Sequence, residues 1–218
     1  MNTNKLIIFD IDGTLIDSVF GYHEVIVKAM NDLGILSIDT NFNVLKHHTD
    51  SYALKYNYEN FFKKDLATNL LDEFENRIVF HLKQQQKINA INGAAEVLLK
   101  LQKLGFSIAF ATGSLPNSAI YKMNSAGLEI NPDLLATSKT SFSREGFVSE
   151  AILKAKSFYN IYEFDKIYSI GDGIWDLKTA QNLNLTFIGV GLKNKDLMLD
   201  NGMEFWIEDF NNFDFSIL

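Results

Sequence analysis

The chain opens with an apolar run that is followed at once by two carboxylates. Residues 6–9 (LIIF) are continuously apolar, a pattern typical of a strand that a parallel sheet buries on both faces. Asp10 and Asp12 come next, and open α/β sheets bind their ligands at the carboxyl ends of their strands. The pattern therefore predicts a buried first strand that ends in a polar site.

The hydrophobic period changes after this strand. From Val19 to about Ile88, apolar residues recur at helical spacing, as in YHEVIVKAMNDLG and LATNLLDEFENRIVFHLK, and β-type alternation is absent. We therefore predict a core domain made of residues 1–16 and 89–218, with an all-helical cap domain of residues 17–88 inserted into it.

Strands and helices alternate from Asn92 to the end of the chain. The predicted helices cover residues 93–105, 117–126, 150–161 and 175–184, and the predicted strands cover residues 107–112, 133–138, 166–172, 186–191 and 204–209. Such alternation indicates a parallel sheet with right-handed crossovers. The predicted fold class is α/β, a Rossmann-like doubly wound parallel sheet with an inserted helical cap.

Composition narrows the classes of partner. The 218 residues are 47% hydrophobic, enough for a sizeable core, and carry a formal net charge of −7 with two arginines, Arg77 and Arg144. This charge balance argues against nucleic acid as the binding partner and favours a small-molecule partner. The chain has no cysteine, no signal-like amino terminus and no long apolar span, so we expect a cytoplasmic protein without a membrane partner.

Polar residues follow four of the predicted strands, and the carboxyl ends of parallel strands meet at one edge of a sheet. These residues are Asp10 and Asp12; Thr112, Gly113 and Ser114; the TSKTS segment at 137–141; and Asp172 and Asp176. One aspartate after a strand is more often a turn cap, but four carboxylates at one edge repel each other and require a cation. Oxygen ligands without cysteine favour Mg²⁺.

The spacing of the first two aspartates suits two chemical roles, because alternate residues of an extended chain share a face. Asp10, nearest the buried strand, suits a nucleophile. Asp12 suits a general acid that protonates a leaving alkoxide and later activates water. Gly13 frees the backbone to turn, and the hydroxyl of Thr14 is expected to brace the turn.

The second strand end offers groups for an anion. Thr112 supplies a hydroxyl, and Gly113 and Ser114 supply backbone N–H groups near a helix start, where a phosphate oxygen binds readily. Taken alone, these residues are somewhat more typical of an N-cap for the helix after Pro116 than of a phosphate site. Because they are expected to lie beside the aspartates, phosphate binding is the stronger interpretation.

Three segments carry a resemblance to a known family. DIDGTLID, IAFATGS and IGDGIWD are similar, in that order, to the first, second and fourth motifs of haloacid dehalogenase superfamily phosphatases of the phosphoglycolate phosphatase-like or β-phosphoglucomutase-like subgroup, which have a helical cap. The resemblance implies an aspartyl-phosphate on Asp10, acid/base catalysis by Asp12 and phosphoryl binding by Thr112. It also implies Mg²⁺ held by Asp10, Asp172 and the Asp12 carbonyl, with Asp176 in support.

The third motif departs from the family pattern. Many relatives have a Lys-Pro pair there, and this chain has no proline in the region. We assign the cation beside the nucleophile to Arg144, with Lys139 as runner-up and Lys154 as a distant third. The alternative for Arg144 is an ordinary solvated loop arginine.

The predicted cap contributes one polar segment, KHHTDS at residues 46–51. It resembles the Thr-Asp segment after a cap loop in phosphoglycolate phosphatase-like proteins, and we expect substrate contacts from His47, His48, Thr49 and Asp50. Two surface histidines in a helix connection are an equally good interpretation of His47 and His48. Trp175 is assigned to packing.

The leading functional prediction is a Mg²⁺-dependent phosphatase acting on a small phosphorylated metabolite. A phosphomutase of the same fold is the nearest alternative, since only the acceptor of the phosphoryl group differs. A phosphoacceptor or binding module without turnover is the alternative from another class, although both aspartates of the DID segment are retained. Dehalogenation leaves Asp12 without a role, because a halide needs no proton. We expect a monomer, and a dimer stays open.

Overall fold

A computed structural model describes residues 3–41, 45–67, 69–85 and 87–218 of the chain. In chain order the strands are β1 (Lys5–Phe9), β2 (Ile16–Asp17), β3 (Asn89–Ala90), β4 (Ser107–Thr112), β5 (Leu135–Thr137), β6 (Lys166–Gly171), β7 (Thr186–Val190) and β8 (Phe205–Ile207). All except β2 and β3 form one parallel six-stranded sheet in the order β5–β4–β1–β6–β7–β8. This arrangement confirms the predicted α/β fold class.

Strand β1 lies inside the sheet, paired with β4 on one side and β6 on the other. Its side chains divide between two cores, as expected for a strand covered on both faces. Ile7 and Phe9 pack in one apolar cluster, and Leu6 and Ile8 pack in another. The chain builds β4 and β5 on one side of β1 and then crosses to β6 on the other, so a topological switch point lies at the carboxyl end of β1.

Helices cover both faces of the sheet. They are α4 (Ala94–Lys103), α5 (Pro116–Ser125), α6 (Arg144–Tyr159), α7 (Ile174–Asn182) and α8 (Lys195–Asp200), after α1 (Val19–Asp32), α2 (Asp50–Phe62) and α3 (Asn69–Leu82) in the first half of the chain. Apolar residues of α4 and α5 share a cluster with Ile7 and Phe9, whereas those of α6 share one with Leu6 and Ile8. The sheet is therefore doubly wound.

The first three helices occupy the segment predicted to be all-helical. They lie between β2 and β3, which form a short antiparallel ladder pairing Ile16 with Ala90 and Asp17 with Asn89. The predicted boundaries near residues 17 and 89 coincide with this ladder. The division into a core domain and a cap domain stays a prediction.

Helix α6 begins six residues before its predicted start, at Arg144 rather than Glu150. The Ser143 side chain accepts a hydrogen bond from the backbone N–H of Gly146 (3.1 Å), which caps the helix. The predicted start of this helix at Glu150 was therefore wrong. None of the described helices is both long enough and apolar enough to cross a membrane.

Candidate active site

The ends of three neighbouring strands bring the predicted chemistry together. Asp10 and Asp12 follow β1, Thr112 ends β4, and Asp172 follows β6. All four line one cavity of about 250 Å³, whose wall also includes residues of α1, α2 and the segment before α2. The cavity therefore lies between the edge of the sheet and the inserted helices.

Arg144 is the cation that reaches the first aspartate. Its Nη1 lies 3.2 Å from Oδ1 of Asp10 and 2.6 Å from Oδ1 of Asp176, and the guanidinium is largely buried. Lys139 instead donates to Asp72 (2.7 Å), and Lys154 donates to the carbonyl oxygen of Leu135 (2.6 Å). Of the three cations considered for the third motif, the structure brings Arg144 to Asp10; its catalytic role stays a prediction.

Three carboxylates form a compact acidic cluster. Asp10, Asp172 and Asp176 each offer an oxygen, and these oxygens lie within 4.8 Å of one another. Burial, then the charge of Asp176, raises the pKa of Asp10 well above its usual value and raises that of Asp172 to about 7; burial also raises the pKa of Asp176. One guanidinium faces three carboxylates, so its charge offsets only part of the negative charge that the three carry when ionised. Its hard oxygen donors fit a divalent cation such as Mg²⁺.

The carboxylate of Asp12 is separate from this cluster. Nζ of Lys122 lies 2.6 and 2.7 Å from its two oxygens, and the hydroxyls of Ser114 and Ser18 donate to the same oxygens. Burial raises the pKa of Asp12, but the charge and hydrogen bonds of Lys122 outweigh burial and leave that pKa lowered. Lys122 and the two serines occupy the carboxylate of Asp12, and the carbonyl oxygen, the atom that the family resemblance implies as a metal ligand, stays a prediction.

Two glycines allow the close approaches in the site. Gly13 has φ +85°, and a Cβ there would lie 2.4 Å from Oδ2 of Asp172. A Cβ at Gly113 would lie 2.7 Å from the carbonyl oxygen of His48. The predicted brace at Thr14 is not seen: among the described residues, its buried hydroxyl has no hydrogen-bond partner. Backbone hydrogen bonds from Thr14 and its two successors to Ile11 hold this turn instead.

Thr112 and Ser114, at the end of β4, make hydrogen bonds that the sequence did not predict. The hydroxyl of Thr112 accepts a hydrogen bond from the N–H of Ser114 (3.1 Å), while the hydroxyl of Ser114 donates to Asp12. The N-cap of α5 is Leu115, which makes no side-chain cap. The alternative that Thr112 or Ser114 caps this helix is therefore wrong.

The predicted substrate contacts before α2 divide into two groups. His48, Thr49 and Asp50 line the cavity, and the ring of His48 stacks on Trp175 at 4.8 Å between centroids. The cavity lining does not include His47, whose ring packs edge-on against another aromatic side chain, Tyr52. Trp175 lines the cavity as well, which adds to the packing role predicted for it.

Asp50 joins the insertion to the core. Its Oδ2 accepts hydrogen bonds from the hydroxyl of Tyr22 (2.6 Å) and the N–H of Leu115 (3.2 Å), and its own N–H donates to the carbonyl oxygen of Gly113 (2.9 Å). Burial raises the pKa of Asp50 to about 6, against the opposing charge of Lys122. Its position favours a structural link over direct substrate contact.

Sequence reasoning missed several residues of the site: Tyr22, His23, Lys122, Lys193 and Asn194. Lys193 and Asn194 follow β7, so the rule used for the other strand ends would have found them. Asn194 donates from Nδ2 to the carbonyl oxygen of Asp172 (2.9 Å). For Lys122 the available signal was its place on the same helical face as Ala119 and Met123, both buried.

Comparisons with known proteins found a matching family model and solved structures with a similar fold. A sequence model of the family described as haloacid dehalogenase-like hydrolase matches residues 7–190. No curated protein matches the chain. Solved structures with a similar fold include a hydrolase from Pseudomonas syringae, with 21% identity, TM-score 0.69 and coverage of 96% of this chain and 94% of that one. They also include a HAD hydrolase from Entamoeba histolytica, with 19% identity, TM-score 0.69 and coverage of 99% of this chain and 96% of that one. A β-phosphoglucomutase from Clostridium difficile has 20% identity, TM-score 0.70 and coverage of 100% of this chain and 95% of that one.

Proposed function

The chain belongs to the haloacid dehalogenase-like hydrolases, and from this we propose that it is a Mg²⁺-dependent phosphatase that hydrolyses a small phosphorylated metabolite through an aspartyl-phosphate on Asp10. The observation that carries the proposal is the buried contact of Arg144 with Asp10 and Asp176 at the floor of the cavity. A cavity of about 250 Å³ suits a small ester, since sites for drug-sized molecules start at roughly 300 Å³.

In the first step, a carboxylate oxygen of Asp10 attacks the phosphorus atom of the ester. The phosphorus–oxygen bond to the leaving group breaks and its electron pair stays on the leaving oxygen. The protonated form of Asp12, which the ion pair with Lys122 makes the minor form, supplies the proton that this alkoxide takes up. Arg144, which already contacts Asp10, is placed to offset negative charge on the transferring phosphoryl group. Product alcohol then leaves the cavity.

In the second step, Asp12 accepts a proton from water as the water oxygen attacks the phosphorus atom of the aspartyl-phosphate. The bond between Asp10 and phosphorus breaks, inorganic phosphate is released, and both aspartates return to their starting forms. Asp10 and Asp172, with the carbonyl oxygen of Asp12, would hold Mg²⁺, while Asp176 holds Arg144. When bound, the ion supplies charge neutralisation between the carboxylates and the phosphoryl oxygens.

A phosphomutase differs from this scheme only in the acceptor, a hydroxyl of a second sugar phosphate in place of water. Because the fold is similar to that of a β-phosphoglucomutase, this alternative is tested as well. Incubation with a hexose 1-phosphate distinguishes the two activities, because a mutase yields the isomeric hexose phosphate and little inorganic phosphate.

The test is phosphate release from p-nitrophenyl phosphate by the wild-type protein and two variants. We expect activity with Mg²⁺, loss of activity in EDTA, and loss of activity in Asp10→Asn. The matched control is Asp196→Asn, which removes an exposed carboxylate outside the cavity lining and should keep full activity. Turnover by Asp10→Asn at the wild-type rate would contradict the nucleophile assignment, and equal rates in EDTA would remove the metal from the mechanism.

A further inference from the structure

The mouth of the cavity is lined by basic side chains from three separate parts of the chain. His23 belongs to α1, His48 precedes α2, and Lys193 follows β7. His23 and Lys193 are exposed, whereas Asp10 is buried, so the basic residues lie at the open end and the carboxylates at the floor. This is unexpected in a chain with a net charge of −7 and four histidines in all.

Contacts with the site hold two of these residues in place. The ring of His48 stacks on Trp175 with an interplanar angle of 19°. Asn194, the neighbour of Lys193, donates to the carbonyl oxygen of Asp172, which fixes the loop after β7 against the strand end that carries the acidic cluster. Both positions therefore depend on the same scaffold as the proposed catalytic residues.

The basic groups also lie close enough to influence one another. Burial lowers the pKa of His48, and the charges of Arg144 and His23 lower it further. Burial likewise lowers the pKa of His23, followed by the charge of Lys193. Basic groups thus run from Arg144 at the floor to Lys193 at the mouth. An anion between them would favour the charged forms of both histidines.

Under the proposed function the phosphoryl group binds at the floor, beside Asp10 and Arg144, and leaves His23, His48 and Lys193 facing the rest of the substrate. Solvated basic residues at a cavity mouth are the ordinary alternative. Convergence of three chain segments onto the one cavity of the proposed reaction favours a binding role.

We propose, on the basis of the proposed function, that the preferred substrate is a phosphomonoester whose leaving group carries a second anionic group, bound by His23, His48 and Lys193. A carboxylate and a second phosphate share the required chemistry. Lys193 supplies a charged ammonium on a flexible stem, and the imidazoles supply N–H donors, so the second anion receives charge-assisted hydrogen bonds.

The test compares four two-carbon phosphate esters that differ only in their far end: carboxylate (2-phosphoglycolate), second phosphate (ethylene glycol bisphosphate), hydroxyl (2-hydroxyethyl phosphate) and ammonium (phosphoethanolamine). Phosphate release at saturating Mg²⁺ gives kcat/KM for each. We expect one or both anionic esters to exceed the hydroxyl ester by about tenfold or more, the ratio that about 1.4 kcal/mol provides. The ammonium ester should be the poorest. The better of the two anionic esters identifies which anion the site takes.

Variants assign that preference to residues. Lys193→Gln should reduce the ratio of kcat/KM for the anionic ester to that for the hydroxyl ester to within about twofold, because kcat/KM for the anionic ester falls by more. Lys195→Gln is the matched control: its ammonium lies over the Trp206 ring at 3.6 Å, outside the cavity lining, and the ratio should stay at the wild-type value. His48→Asn and His23→Asn should each lower the ratio.

The outcomes separate this inference from the proposed function. Hydrolysis of the hydroxyl ester at a rate equal to or above that of both anionic esters would overturn the second-anion site and leave the phosphatase in place. A preference that survives Lys193→Gln, His23→Asn and His48→Asn alike would overturn the assigned residues. Hydrolysis of none of the esters, together with no release from p-nitrophenyl phosphate, would overturn both proposals.

Discussion

The ammonium group of Lys122 lies 2.6 and 2.7 Å from the two carboxylate oxygens of Asp12, in a position where the lysine side chain has no exposed surface. The same Nζ is 2.7 Å from Oγ of Ser114 and 3.8 Å from the centre of the Tyr22 ring. Removing one partner of a buried ion pair leaves the other charge uncompensated, which costs far more than removing both.

Lys122→Met should therefore lower the free energy of unfolding by about 3 to 5 kcal/mol. Replacing both partners, as Lys122→Met with Asp12→Asn, should recover part of that loss because no unpaired charge stays in the interior. Urea denaturation of the four proteins of this double-mutant cycle measures the coupling. Additive losses in the double variant would show that the two side chains are energetically independent.

Lys122 also shows where prediction from sequence fails. Most lysines in amphipathic helices are solvated, and nothing in residues 116–125 identifies the acceptor that the side chain meets, because Asp12 lies over a hundred positions away in the chain. The buried face was visible in the pattern, but the partner depends on how α5 packs against the turn after β1. Contacts of this kind require the tertiary structure.

Arg144 and Lys139 provide the second prediction, since both were candidates for the cation beside Asp10. The structure separates them: Arg144 contacts Asp10, whereas Lys139 pairs with Asp72 on α3. Arg144→Ala should lower kcat/KM for phosphate release by about a hundredfold or more, as expected when a charge-stabilising donor is lost. Lys139→Ala should stay within about twofold of wild type, because exposed ion pairs contribute little.

Thermal unfolding of both variants checks that Arg144→Ala still folds. Loss of nearly all turnover in Lys139→Ala, with an active Arg144→Ala, would reverse the assignment. Arg144→Lys adds a finer test: it keeps the charge but replaces the guanidinium, whose Nη1 contacts both Asp10 and Asp176, with an ammonium on a different stem, so partial rescue is expected.

The sheet and its polar edge were predictable because their signals are local. Each central strand is a short apolar run followed by Asp, Thr or Gly, and parallel pairing then makes those residues neighbours. The two-residue strands β2 and β3 and the short α8 have no periodicity long enough to detect. The start of α6 was missed because Gly146 interrupts the helical pattern, although Phe147 and Val148 are buried on its inner face.

Gly13 gives a third prediction with an internal control. It shares a positive φ with Gly127, but a Cβ at Gly13 would overlap Oδ2 of Asp172, whereas a Cβ at Gly127 meets nothing within 4 Å. Both alanine variants should lose about 1 kcal/mol or more of stability from backbone strain. Only Gly13→Ala should also lower phosphate release, by about tenfold or more, because it displaces a predicted Mg²⁺ ligand.

Isothermal titration with Mg²⁺ provides the second measurement for this pair, and weaker binding is expected in Gly13→Ala alone. Equal activity in Gly13→Ala and Gly127→Ala would mean that Asp172 shifts without consequence and that its position does not matter for the reaction.

The buried carboxyl of Asp50 makes stability depend on pH. Its pKa is raised from 3.8 to about 6 by burial, so in the folded protein it keeps a proton that the unfolded chain has already lost between these values. Stability from this group is therefore fully present below pH 4, falls as the pH rises from about 4 to about 6, and is constant above that.

Asp50→Asn keeps an acceptor for Tyr22 and for the N–H of Leu115 but cannot ionise. Relative to this variant, the wild-type protein should lose about 3 kcal/mol of unfolding free energy across that pH range, since one unit of pKa corresponds to about 1.4 kcal/mol. Urea denaturation at closely spaced pH values from 4 to 7 measures the difference. The variant contains every other titrating group, so the contributions of those groups cancel when the two stability curves are subtracted. Two parallel curves of unfolding free energy against pH would show that Asp50 titrates normally in the folded protein.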